Sequence, residues 1–293
     1  MAPCVAPRIA EAMEEVVSGV APVIWLQGQS CSGCSVSLLD SEVPSPVTFL
    51  TQYISLGFHQ TLSSATGGQA VDTVNKLIER GGYVLIAEGA VPVGMPKACR
   101  FGNETFSAQL ARAARNAQAV ISVGTCASFG GIPAAENNPT GAASVPDFLT
   151  QQGIKTAVIR IPGCPAHPDW LVGTVLQVLK FRLPPLDPLG RPKAFYARSL
   201  HDQCARFADY ERERFARTYG EEGCLFKLGC LGPVTKADCN IRSWNGGINN
   251  CIRSGAPCVG CSGENFALKA KQPFSTKDTA ARERETATKK VES

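Results

Sequence analysis

The chain has 293 residues, 44% of them hydrophobic, and 13 cysteines; it is long enough to bury one large core, or a core with a smaller satellite, without disulfides. Its net charge of +4 is no pointer to nucleic acid, because from Ala267 onward seven Lys/Arg face four acids and +3 of the charge sits in that tail. The rest is nearly neutral, carries no basic patch interleaved with aromatics, and is not expected to bind DNA or RNA.

Residues 1–20 read as a leader with helical character over Ala10–Val17 and no evident chemistry. No charged stretch followed by an apolar one, and no twin-arginine start, precedes Trp25. The chain as written is therefore expected in the cytoplasm, or in the periplasm if a leader has been removed. No apolar run approaches the roughly 20 residues of a membrane helix, so no transmembrane segment is expected.

From 21 to 185 short apolar runs alternate with helix-period segments. The runs fall at 22–26, 83–87, 119–123 and 157–161. Between them, Ala70, Val71, Val74, Leu77 and Ile78 mark one helical face, and 106–116 is alanine-rich. Runs apolar on both faces, separated by helices, predict an open α/β domain of flavodoxin type, with its parallel sheet covered on both sides. After Leu183 the stretch Pro184-Pro185-Leu186-Asp187-Pro188-Leu189-Gly190 breaks this pattern. Gly, Asn, Pro and Cys then dominate, so 186–268 is expected to be a small irregular domain ordered by metal cross-links. Residues 269–293 are polar and charged, and are expected to be disordered.

The cysteines fall at the ends of the apolar runs. Cys31-Ser-Gly-Cys34 follows the first, Cys126 the third and Cys164 the fourth. In an open parallel sheet all should emerge at the carboxyl edge of the strands, with Glu88 beside them. Four thiolates there can complete a 4Fe–4S cluster, with Gly33, Gly124 and Gly163 letting backbone amides approach the sulfurs. Structural zinc suits four thiolates equally. A second set, His201, Cys204, Cys224 and Cys230, supplies one imidazole and three thiolates, and a third, Cys239, Cys251, Cys258 and Cys261, supplies four more. A neutral histidine makes a cluster less anionic and raises its potential, as befits an exit point. The two Cys-x-x-Cys pairs binding a single nickel ion would leave the other cysteines without a task. Cys4 and Cys99 fall outside the sets and read as spare thiols, while His59 reads as structural.

At these residues the sequence resembles the small, electron-transferring subunit of nickel–iron hydrogenases. The matching stretches are Trp25-Leu-Gln-Gly-Gln-Ser-Cys31-Ser-Gly-Cys34-Ser, Ile54-Ser-Leu-Gly-Phe-His59, Glu88-Gly-Ala, Gly124-Thr-Cys126-Ala-Ser-Phe-Gly-Gly-Ile-Pro and Pro162-Gly-Cys164-Pro-Ala-His-Pro-Asp-Trp170. Further on come His201-x-x-Cys204, Gly229-Cys230-x-Gly-Pro, Asp238-Cys239, Trp244-Asn245-x-Gly-x-Asn249 and Pro257-Cys258-x-Gly-Cys261. The resemblance implies three clusters in series: proximal (Cys31, Cys34, Cys126, Cys164), medial (Cys239, Cys251, Cys258, Cys261) and distal (His201, Cys204, Cys224, Cys230). It implies no catalytic residue in this chain, because hydrogen is split heterolytically at nickel and iron in a separate large subunit. Electrons then pass to an acceptor such as a cytochrome or ferredoxin.

Two departures refine this. Many members have proline where this chain has Cys251, and hold a 3Fe–4S medial cluster. Here a fourth thiolate is available, so a medial 4Fe–4S cluster is expected, as in the nickel–iron–selenium branch. Oxygen-tolerant members carry extra cysteines at the positions of Gly33 and Gly131, so an ordinary proximal cluster and ordinary oxygen sensitivity follow. Glu88, at the proximal edge, is expected to relay protons or bond to large-subunit groups, the alternative being a solvated loop carboxylate; His167 and Trp170, which follow Cys164, are expected to shape the contact between the two subunits rather than bind metal. A hydrogen-sensing homologue remains the alternative function. A quinone-reductase cluster subunit shares the Gly-Thr-Cys and Pro-Gly-Cys landmarks but lacks the C-terminal sets.

Overall fold

The protein is described from a computed structural model, over residues 22–181 and 183–267. Five parallel strands form its sheet: β1 (Pro22–Gln27), β2 (Ser55–His59), β3 (Val84–Glu88), β4 (Ala119–Val123) and β5 (Val158–Ile161), in the order β2-β1-β3-β4-β5. The chain winds outward in both directions from β1 and β3, which makes their junction the topological switch point. The main helices are α1 (Gly33–Leu38), α2 (Gly67–Arg80), α3 (Phe106–Asn116), α4 (Gly124–Phe129), α5 (Val145–Gln151) and α6 (Pro168–Phe181). The leader and the 269–293 tail lie outside the described residues.

Alternation along the strands divides the core. Val23, Trp25, Val84, Ile86, Ile121, Val123, Ile159 and Ile161 face one side, where α6 and α1 pack. Ile24, Leu26, Leu85, Ala87 and Val120 face the other, against α2, α3 and α5. Each buried Val, Ile or Leu among these contributes about 1.5–3 kcal/mol when withdrawn from water. Both faces are thus apolar because both are covered.

Beyond Pro184 regular structure shrinks to single turns, including Phe207–Glu211 and Cys239–Arg242. Yet Phe195, Tyr196, Leu200, Ala216, Leu225, Ala237 and Ile252 belong to the same buried cluster as the first face of the sheet. The irregular segment is therefore not held by its cysteines alone. Isolated large side chains, without periodicity, anchor it to the sheet.

Candidate metal centres

Register brings four strand ends into one row: Gln27 opposite Glu88, Glu88 opposite Val123, and Val123 opposite Ile161. Cys31 and Cys34 follow the first of these ends, Cys126 sits in α4 after the third, and Cys164 lies just past β5. The four thiols are close enough for their charges to interact. Burial, helped by that mutual repulsion, pushes Cys34 well above the ordinary thiol range, Cys126 up to about 11, and Cys164 upward. Cys31 alone of the four is exposed. Gly124 has φ 82°, and a Cβ there would stand 2.5 Å from Cys34 Sγ; at Gly131, φ 53°, it would meet the backbone of Cys126 at 2.9 Å. Only glycine fits such positions.

Glu88 is not solvated. It is 2% exposed and six donors converge on its carboxylate. Ser30 Oγ donates to Oε1 (2.9 Å), as do the Cys34 and Ser35 amides (3.1 and 3.4 Å). Trp25 Nε1, Gln27 Nε2 and Ser35 Oγ donate to Oε2 (3.1, 3.2 and 2.5 Å). The acid thus fixes the start of the helix that carries Cys34. His59, fully buried, completes the network: its Nδ1 accepts the Thr61 amide (3.0 Å), so Nε2 carries the proton and donates to Ser35 Oγ (3.1 Å). Burial brings its pKa down to about 4, and the structural reading of His59 agrees with this.

His201, Cys204, Cys224 and Cys230 line a common cavity with Arg206, Phe226 and Pro233. The three thiols sense one another's charge, and burial raises Cys204 and Cys224. The His201 ring is held edge-on between Phe207 and Tyr210, with centroids 5.0 and 4.5 Å away. In the remaining set Cys239 interacts with Cys261, Cys258 and Cys251. Burial pushes Cys258 up to about 12, Cys261 up to about 11, and Cys239 higher still. The Cys251 side of this group is exposed. Thiols so buried stay protonated at neutral pH, so loading metal must expel their protons.

The three groups touch in sequence. The Cys261 thiol lies close enough to Cys164 to sense its charge, and Thr125 Oγ1, which also accepts the Gly163 amide beside Cys164, donates to the Cys261 carbonyl. On the other side, the Cys258 amide donates to Cys230 Sγ (3.4 Å). The Cys239 group thus lies between the other two. Among the described residues no three His, Cys, Asp or Glu side chains close tightly enough to hold a single metal ion.

His167 and Trp170 do not serve an outside surface. They are 4% and 1% exposed; His167 Nε2 bonds to the Ser243 carbonyl (2.7 Å) and Trp170 Nε1 to Asp238 (2.6 Å). They shape the contact between the sheet and the cysteine-rich segment, because internal partners already satisfy their polar atoms. Cys99 packs against the second core face and joins none of the groups, and Cys4 lies outside the described residues. Sequence reasoning missed Ser35, Gln27, Asp238 and Arg242. The first two sit inside or beside the Cys31–Cys34 motif, which was the available signal.

Comparison with known proteins bears on these sites. Residues 31–178 match the family model described as NADH ubiquinone oxidoreductase, 20 Kd subunit, and residues 196–275 match the C-terminal family model of the NiFe/NiFeSe hydrogenase small subunit. The periplasmic NiFeSe hydrogenase small subunit of Desulfomicrobium baculatum is 40% identical, over 92% of this chain and 90% of its own. An uptake hydrogenase small subunit of Alcaligenes hydrogenophilus is 36% identical, over 91% and 74%. Among solved structures, the Desulfomicrobium baculatum NiFeSe hydrogenase superposes with TM-score 0.84 at 40% identity, covering 88% of this chain and 99% of that one. The NiFeSe hydrogenase of Desulfovibrio vulgaris Hildenborough gives 0.83 at 42% identity, covering 88% and 98%. With both halves of the fold and all three cysteine groups on one chain, this protein belongs to the small-subunit family of nickel–iron hydrogenases.

Proposed function

We propose that the chain relays single electrons between the nickel–iron site of a large subunit and an outside acceptor, through three 4Fe–4S clusters held in a row. Family membership supplies the coarser statement: the protein is the electron-transfer subunit of a hydrogenase and pairs with a large subunit. The observation that carries the finer one is the pair of contacts Cys164–Cys261 and Cys230–Cys258, which join three thiol groups end to end.

Cys31, Cys34, Cys126 and Cys164 would hold the first cluster, Cys239, Cys251, Cys258 and Cys261 the second, and His201, Cys204, Cys224 and Cys230 the last. Clusters bound there would supply one-electron chemistry. The protein's own residues do the rest. Glu88 holds the Cys31–Cys34 turn, and Gly124 and Gly131 let backbone approach the sulfurs. The Arg206 and Gly260 amides donate to Cys204 Sγ and Cys258 Sγ, both at 3.4 Å, and such bonds tune cluster potentials. The exposed Cys31, with exposed Val36 and Leu39 in and after the helix that follows it and exposed Ile132 near Cys126, supports this edge as the face toward the large subunit. At the far end His201 and the exposed Phe226 support an exit to a cytochrome or ferredoxin.

No helix among the described residues is long and apolar enough to cross a membrane. The periplasmic name of the Desulfomicrobium relative supports the exported alternative for location. Iron and acid-labile sulfide assays on the purified heterodimer test the reading. Four irons at each of three sites make about twelve in this subunit. Near-zero iron with stoichiometric zinc would end it.

A further inference from the structure

Between the first and second thiol groups lies a partly buried brace that has no direct part in the electron relay. Asp238 immediately precedes Cys239, and Arg242 closes the same helical turn. Asp169 and Trp170 lie a few residues beyond Cys164, at the start of α6. The Arg242 guanidinium spans the two segments. Its Nη2 and Nε donate to Asp238 (2.6 and 3.3 Å), and its Nη1 donates to Asp169 Oδ2 (2.9 Å). Trp170 Nε1 adds a bond to Asp238 Oδ1 (2.6 Å) from the α6 side. His167 Nδ1 accepts the Asp169 amide (3.2 Å), which leaves Nε2 to donate to the Ser243 carbonyl (2.7 Å), while its ring packs on Trp244 at 4.6 Å. Arg242 also lies over the Phe195 ring, 5.4 Å from its centroid.

Stability alone is a poor account of this arrangement. The Arg242, Asp238 and Asp169 side chains are only partly withdrawn from water, 14%, 17% and 35% exposed, and in such a setting the attraction within an ion pair is largely offset by desolvation and solvent screening. What a planar fork provides, and apolar packing does not, is a fixed direction and separation between the groups it joins. Here those groups are the segments carrying Cys164 and Cys239. The hydrogen bonds of Arg242 go to Asp238 and Asp169, so its action on the clusters passes through these two segments.

We propose that Arg242, with Asp169 and Asp238, is a positioning residue that sets the gap electrons cross between the Cys31/Cys34/Cys126/Cys164 site and the Cys239/Cys251/Cys258/Cys261 site. The inference rests on the relay reading above. Tunnelling falls exponentially with distance, so a brace that holds this gap sets the rate of the step without taking part in it.

The experiment uses the purified heterodimer carrying Arg242→Gln, Arg242→Lys or Asp169→Ala. Asp169→Ala removes the Arg242 bond between the segments and leaves the Arg242–Asp238 pair and the Trp170–Asp238 and His167–Ser243 bonds in place, so it decides Arg242's part alone should the Arg242 variants fail to assemble. Hydrogen–deuterium exchange reports the nickel site, dye reduction by hydrogen reports the relay, and the EPR interaction between reduced clusters reports their separation. The expected result is exchange within twofold of wild type, dye reduction at least tenfold slower in Arg242→Gln and Asp169→Ala, an altered cluster–cluster interaction, and partial recovery in Arg242→Lys. Wild-type dye reduction in both Arg242→Gln and Asp169→Ala, whatever their spectra, overturns the proposal. So does exchange that falls in step with dye reduction. A wild-type heterodimer lacking iron would instead sink the relay reading itself.

Discussion

Replacing Glu88 by alanine tests whether this acid holds the Cys31–Cys34 turn. The substitution takes away the acceptor for the Cys34 and Ser35 amides, bonded at 3.1 and 3.4 Å, inside a region where Glu88 is 2% exposed. A buried donor left without a partner costs about 1–3 kcal/mol. Because the second bond is long, the pair together should cost about 2–3 kcal/mol rather than twice the upper figure. The loss falls on local opening of α1, which native-state hydrogen exchange measures directly. At about 1.4 kcal/mol per factor of ten, a peptide covering 31–38 should exchange roughly 30- to 150-fold faster in the heterodimer. A peptide covering α3, on the opposite face, should be unchanged. Glu88→Gln keeps one acceptor oxygen and should show a smaller effect. Wild-type exchange over 31–38 in Glu88→Ala would refute the claim that the carboxylate orders this turn.

Three further outcomes are expected. Cys251→Pro should leave assembly intact and convert the middle cluster to a three-iron form, visible in low-temperature EPR of oxidised protein; an unchanged spectrum would show that Cys251 is not a ligand. His201→Gly should spare isotope exchange at nickel and slow delivery to an outside dye, and equal loss of both would contradict an exit role for His201. The folded His59 pKa of about 4 lies below the ordinary 6.5, so the unfolded chain binds more protons between those values. Its contribution, about 3 kcal/mol, is full above pH 6.5 and fades as pH falls toward 4. Acid unfolding of His59→Gln should have a shallower slope in that window, and a wild-type slope would refute it.

Strands β1, β3 and β4 were legible as short buried apolar runs and β5 as a β-branched run despite its half-buried Arg160, α2 because its buried residues recur at helical steps, and α3 because 106–116 is alanine-rich. β2 escaped notice. It is an edge strand, Ser-Leu-Gly-Phe-His, with an exposed first residue and a glycine at its centre, so neither alternation nor β-branching marks it. The irregular segment read as poor in core because its anchors, Phe195, Tyr196, Leu225 and Ile252, are scattered one at a time. Their shared burial against the sheet exists only in three dimensions.

By itself the sequence determined which atoms could bind metal and at which end of the sheet the first four would emerge. Covalent spacing and the two-residue period of a strand are local properties, and so is the break at Pro184-Pro185. Local spacing does not encode the order of the groups, which only the family resemblance implied; tertiary structure sets it, through Cys164 meeting Cys261 and Cys230 meeting Cys258. It also decided that Glu88 is enclosed by donors and that Arg242 bridges to Asp169. These are contacts between residues far apart in the chain, which packing creates and periodicity does not encode.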